Sequence, residues 1–90
     1  MRQQAAAKKT INLMGKNSVT KKQAIAFLKV QRITNNISQQ EIADRSGNHI
    51  NAINRLENQG LGSDDLLAAY ARAIGFELDK SYNFIPIEKD

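Results

Sequence analysis

The sequence predicts an all-α fold of four to five short helices, with a flexible basic arm in front of them and a short strand behind. Three observations predict it. Apolar residues recur at helical spacing in successive short blocks. Hydroxyl residues stand where helices need N-terminal caps, at Ser18 or Thr20, at Ser38 and at Ser63. The blocks are separated by asparagine- and glycine-rich breaks, the sharpest at Gly47. These signals divide the chain into an arm over 1–17, a helical domain over 18–78 and a tail over 79–90.

The arm, MRQQAAAKKTINLMGKN, is small and basic and holds no sustained periodicity; TINLM within it suits a short strand or a fraying turn. In the first helix, KKQAIAFLKVQRI, the residues Ile25, Leu28 and Ile33 are expected on one face, with Ala24 and Phe27 alongside. The TNN triplet ends it, because these residues favour turns over helix interiors. Ser38 followed three residues later by Glu41 is a capping box, and it opens a short second helix with Ile42 and Ala43 inward. Gly47 stops that helix, since glycine takes the positive φ of a helix terminus without steric cost. A third helix starts at Asn48 or His49 and runs to about Asn58. Ser63, Asp64 and Asp65 supply a cap and negative charge for a fourth, which uses Leu66, Leu67, Tyr70, Ala71 and Ile74 and stops at Gly75. Beyond it, Phe76 and Leu78 alternate with acids, and YNFIPI has strand composition with Pro86 favouring an edge.

Two helices joined by a tight glycine turn form a helix-turn-helix, whose second helix fits the DNA major groove. At roughly 100° per residue, Ala52, Ile53 and Leu56 of the third helix converge on one face and form its buried stripe. Ile50, Asn51, Asn54, Arg55 and Asn58 spread over the other. Asparagine can bond N6 and N7 of adenine together, arginine O6 and N7 of guanine, and an apolar side chain such as Ile50 can meet a thymine methyl. A solvated polar face would serve an ordinary amphipathic helix too, but charged residues solvate such a face better than a run of amides.

Three segments, SQQEIADRSG, INRLENQ and LLAAYARAIGFEL, resemble the XRE or Cro-type helix-turn-helix family, which includes the lambda-type phage repressors. The likeness runs from Leu28 to Leu78 and implies a compact lambda repressor-like domain that binds double-stranded DNA. It implies that Gln39 holds a backbone phosphate and that Gln40 lies close to the DNA. Gly47 matches the turn glycine, and Ile50, Asn51 and Arg55 match base-contacting positions, with Asn54 nearby. Arg32 and Glu57 match a partly buried ion pair. The sequence departs from the family at Asn48, where an apolar residue is usual, and at His49, where a serine or threonine cap is usual. Either Asn48 takes over the cap or His49 faces a phosphate or base edge. The residues expected at DNA are therefore Gln39, Gln40, Asn48, His49, Ile50, Asn51, Asn54 and Arg55.

Charge is distributed unevenly along the chain. Residues 1–40 carry Arg2, Lys8, Lys9, Lys16, Lys21, Lys22, Lys29 and Arg32 and no acid, whereas residues 41–60 sum to −1 and residues 61–90 to −3. A basic half suits a polyanion and an acidic half a separate partner. Arg2, Lys8 and Lys9 would follow a phosphate backbone or enter a minor groove, or else belong to a solvated tail. The tail, with Phe76, Leu78, Phe84, Ile85 and Ile87, is expected to pair across a two-fold axis in a homodimer; folding back onto its own helices, or pairing with TINLM, is the alternative. A faint likeness of AIGFELDKSYNFIPIE to HipB-like antitoxins implies a rival role, a toxin-neutralising antitoxin whose C-terminal third meets the toxin while its DNA binding regulates its own operon.

Ninety residues with 41% hydrophobic content suit one domain with one small core. The absence of cysteine excludes a disulfide framework and thiolate metal sites, and His49 is the sole histidine. No glycine-rich phosphate loop or nucleophile–base pair can be assembled, so neither an enzyme nor a cofactor is expected. No membrane span or signal peptide is legible, and the expected location is the cytoplasm of a bacterium, host-encoded or phage-encoded, on the nucleoid. The expectation as a whole is a transcriptional repressor, homodimeric on an inverted-repeat operator.

Overall fold

Thr20 caps the first helix. A computed structural model describes residues 20–87; the expected arm over 1–17, its TINLM stretch included, lies outside the described residues. The helix α1 spans Lys21–Thr34, and its capping box is reciprocal: Thr20 Oγ1 accepts from the Gln23 amide at 3.1 Å while Gln23 Oε1 accepts from the Thr20 amide at 2.9 Å. Ala24, Ile25 and Leu28 face the core. Ile33, expected beside them, is 57% exposed. The inward stripe passes from Ile25 and Leu28 to Arg32 in the last turn, and the next residue is carried about 100° round the helix.

Ser38 and Glu41 form the expected capping box of α2, Gln39–Ser46, which ends on Gly47 at φ 72°. The third helix, α3, spans Ile50–Gln59, and α4 spans Asp64–Ile74. Ser63 Oγ accepts from the Leu66 amide at 3.0 Å, and Asp64 and Asp65 lie in the first turn, where the helix dipole favours negative charge. The helix α2 packs on α3 and α4, and α1 packs on the same two. Leu28, Ile42, Ile53, Leu56, Leu67, Tyr70 and Phe84 fill the space between them, all buried to within 2% of full enclosure. Each aliphatic or aromatic side chain so enclosed contributes on the order of 1.5–3 kcal/mol.

The tail forms a hairpin rather than a lone strand. β1, Phe76–Leu78, pairs antiparallel with β2, Phe84–Pro86, in the register Phe76 to Pro86, Glu77 to Ile85 and Leu78 to Phe84. The Asp79 carboxylate holds the turn by accepting from the amides of Ser81 and Asn83, at 2.8 and 2.9 Å. Phe84 is fully buried and stacks on Phe27 of α1 with ring centroids 4.6 Å apart; Phe76 meets both rings edge-on. The apolar residues of the tail expected at a dimer interface are thus largely spent inside the protomer: Phe84 is in the core and Phe76 and Leu78 pack against it. Ile87 remains 37% exposed.

Candidate nucleic-acid interface

The helix α3 carries most of the expected contact residues, and its placement follows from its own sequence. Ile53, Leu56 and Glu57 are buried, and Gly60 ends the helix at φ 69°. Burying that stripe turns Asn51, Asn54, Arg55 and Asn58 outward, and all four are exposed. Ile50 is not fully outward: it is half-buried and packs against the core. On the wheel it borders Glu57, so it sits at the rim of the polar face. Ala52, placed in the buried stripe by periodicity, is half-buried at the opposite rim.

The start of α3 settles the choice between Asn48 and His49. His49 is the cap: its Nδ1 accepts from the Asn51 amide at 3.0 Å. A ring nitrogen here does what a serine or threonine oxygen does elsewhere, provided Nδ1 carries no proton. Asn48 does not cap. It is half-buried, and its Nδ2 donates backward to the carbonyl and hydroxyl of Ser46, at 3.1 and 3.2 Å, which braces the turn around Gly47. His49 itself is exposed next to Asn51.

The two glutamines at the start of α2 differ. Gln40 is exposed and donates to Asp44 at 3.0 Å within its own helix. Gln39 is half-buried and reaches across to α3, where its Nε2 donates to Glu57 Oε1 at 3.0 Å and its Oε1 accepts from Asn54 Nδ2 at 3.4 Å. Arg55 and Asn51 make no side-chain hydrogen bond or ion pair among the described residues, so their donors and acceptors face solvent. Asn58 Oδ1 accepts from Lys29 at 3.3 Å. The side chains of Gln39, Asn51, Asn54 and Arg55 therefore share one surface, with Lys29 and Asn58 to one side.

Behind this surface lies the ion pair that the family resemblance implied. Arg32 donates twice to Glu57, Nε to Oε2 at 2.7 Å and a terminal nitrogen to Oε1 at 3.0 Å, and its remaining nitrogen donates to the Ile37 carbonyl at 2.8 Å. The Arg32 side chain is 13% exposed and that of Glu57 0%. Tyr70, from α4, donates its hydroxyl to Glu57 Oε2. Burial alone would raise the Glu57 carboxyl, but hydrogen bonds from Arg32, Tyr70 and Gln39, with the charge of Arg32, outweigh it and hold the group below the usual carboxylate range. The hydrogen bond to Glu57, against the opposing cost of burial, raises Arg32. Burial, and then donation to Glu57, pushes Tyr70 above the usual phenol range. The cluster ties α1, α2, α3 and α4 together at one carboxylate, directly under the polar face of α3.

The helical pattern puts Tyr70 in the apolar core, and the family resemblance makes Gln39 a phosphate ligand; neither is expected on Glu57. A tyrosine among leucines and alanines carries no local sign that its hydroxyl has a partner. A buried glutamate opposite it is the one clue, and the pair is separated by a loop. A family model described as helix-turn-helix matches residues 28–81. No curated protein and no solved structure matches the chain.

Proposed function

The chain belongs to the XRE/lambda repressor-like helix-turn-helix family of DNA-binding transcription regulators, and from that premise we propose that it is a sequence-specific repressor, homodimeric on an inverted-repeat operator. The observation that carries this reading is the outer face of α3. Asn51, Asn54 and Arg55 stand exposed on one side of a short helix whose other side is anchored by Ile53, Leu56 and Glu57. Arg55 is assigned a bidentate contact to guanine and Asn51 one to adenine, while Ile50, exposed in part at the rim, is assigned a thymine methyl. His49 caps the helix beside them, and Gln40, Lys29 and the basic arm are assigned to the phosphates flanking the groove. Asn48 contributes by bracing the turn. Occlusion of a promoter is the action assigned to it.

A homodimer is supported by the hairpin. It has only two strands, so each keeps an unpaired edge among the described residues, with Ile87 exposed at its end. A second copy joined across a two-fold axis would cover one edge, and an inverted-repeat operator calls for two such α3 helices on successive turns of the groove. Selection from random duplex DNA at physiological salt tests the reading. An enriched inverted repeat with half-sites about one helical turn apart is the expected result. Binding that enriches no motif and simply fades with added salt would come from the basic residues alone and would contradict it.

A second reading adds a protein partner. The side chains of Asp64 and Glu77, at the start of α4 and in the hairpin, are 66% and 56% exposed though paired with Lys21 and Arg72 at 3.1 and 3.8 Å, and Asp65 beside them is exposed. That surface would suit a basic toxin, with the DNA function retained as autoregulation. Co-purification of a partner that is released by charge reversal at Asp65 and Glu77, with operator binding intact, would favour this reading over the free-standing repressor.

A further inference from the structure

Building on the reading of α3 as the base-reading helix, we propose that Gln39 is a positioning residue that carries the hydrogen-bond polarity of buried Glu57 outward to Asn54, making Asn54 a specificity-determining residue for adenine. The Glu57 side chain is wholly enclosed and accepts from Arg32 at 2.7 and 3.0 Å. An ionised carboxylate only accepts. The Gln39 group 3.0 Å from Glu57 Oε1 must therefore be its NH2, because the opposite orientation would set a carbonyl oxygen against a buried anion. The orientation of an amide is usually open to inversion; here the carboxylate decides it.

The consequence passes to the next amide. With its NH2 turned to Glu57, Gln39 directs its oxygen at α3, where Asn54 Nδ2 lies 3.4 Å away. An acceptor at that place demands a donor, so inverting Asn54 would bring two oxygens together. One hydrogen of the Asn54 NH2 is thereby committed to Gln39. Oδ1 and the second hydrogen are left for solvent, and those two are what N6 and N7 of adenine complement. Guanine presents acceptors at both corresponding positions, so an oxygen held outward there is repelled. Asn51 has no such anchor: it makes no side-chain hydrogen bond among the described residues and is free to invert. Gln39 keeps one unused Nε2 hydrogen, so it can hold a phosphate at the same time.

That double role makes the test discriminating, because losing a phosphate contact weakens binding nearly uniformly across sequences, whereas losing a positioning contact relaxes one base position. Random-duplex selection is run with the full chain and its Gln39→Leu, Asn54→Ala and doubly substituted variants, with Gln39→Met as a second replacement of similar size; Arg32 and Tyr70 continue to hold Glu57 in each. The expected result is that Gln39→Leu and Asn54→Ala relax the same adenine position, by roughly tenfold for a bidentate contact, and that the double variant relaxes it no further than Asn54→Ala. A DNA-free readout accompanies it: the Asn54 side-chain amide resonances of isotope-labelled protein are expected to shift in Gln39→Leu and Gln39→Met, while those of Asn51 stay in place. Uniform weakening by Gln39→Leu, with every base preference kept, would reduce Gln39 to a phosphate contact and overturn the proposal while leaving α3 as the reading helix. Unmoved Asn54 resonances would overturn it as well. A wild-type selection with no motif at all would instead remove the premise, since the base-reading role of α3 would then be lost.

Discussion

Arg32→Met removes the cation from the buried cluster and leaves its anion. Arg32 supplies two of the hydrogen bonds that Glu57 receives, at 2.7 and 3.0 Å, and the Glu57 side chain has no exposure through which water could replace them. Tyr70 and Gln39 continue to donate to the carboxylate. Breaking a buried pair by removing one partner costs about 3–5 kcal/mol, and the two remaining donors place this case toward the lower end. The Arg72–Glu77 pair serves as an internal contrast, being 3.8 Å apart with side chains 53% and 56% exposed. Exposed pairs contribute about 0–1 kcal/mol, so Arg72→Met should change stability by no more than that. Urea unfolding followed by circular dichroism measures both, and a changed midpoint at constant slope reports stability alone. Adding Glu57→Leu to Arg32→Met should recover much of the loss, because the uncompensated charge is gone. An Arg32→Met protein no less stable than Arg72→Met, or a double variant weaker than either single one, would show that no uncompensated charge is left on Glu57.

The folded value of Glu57 lies below its unfolded one, so its contribution is complete above the ordinary glutamate value of about pH 4.3 and is lost as pH falls through the folded value. Tyr70 is shifted upward, so its contribution is whole below about pH 10 and declines as pH rises above that; urea midpoints across both ranges should show the two losses, and Tyr70→Phe should abolish the alkaline difference. His49→Ala removes the cap of α3 and should cost about 1 kcal/mol, whereas His49→Ser should retain most of the wild-type stability in the same assay. Phe84→Ala empties a fully enclosed aromatic site stacked on Phe27 and should cost about 3–5 kcal/mol, measured by thermal unfolding; a loss below about 1 kcal/mol would mean the hairpin is not part of the core.

What was legible in the sequence divides along the range of the interactions. Helix starts were readable because a capping box needs only residues three apart, as at Ser38 and Glu41. The stops at Gly47 and Gly75 were readable because positive φ is a property of the residue itself. The polar face of α3 followed from its period, and Asn51, Asn54 and Arg55 emerged on it as expected. Ile33 was misplaced because the inward stripe of α1 ends on a charge, Arg32, whose partner lies 25 residues on. The Arg32–Glu57 pair itself was reached only through the family resemblance, since composition alone reads both as surface charges. The hairpin was read as one strand because the turn between its halves depends on the Asp79 side chain rather than on glycine. Gln39 and Tyr70 were missed as ligands of Glu57 for a common reason: a side chain whose partner sits on another helix leaves no periodic trace.

Base reading by the outer face of α3 is tested by parallel random-duplex selections with the wild-type chain, Arg55→Ala and Asn51→Ala. Each substitution deletes a side chain that no described residue holds, so folding should be unaffected. The expected result is one shared motif from which Arg55→Ala loses a guanine preference and Asn51→Ala an adenine preference, each worth about 1–3 kcal/mol, with the remaining positions unchanged. The same motif recovered at full strength from both variants would move sequence recognition off α3.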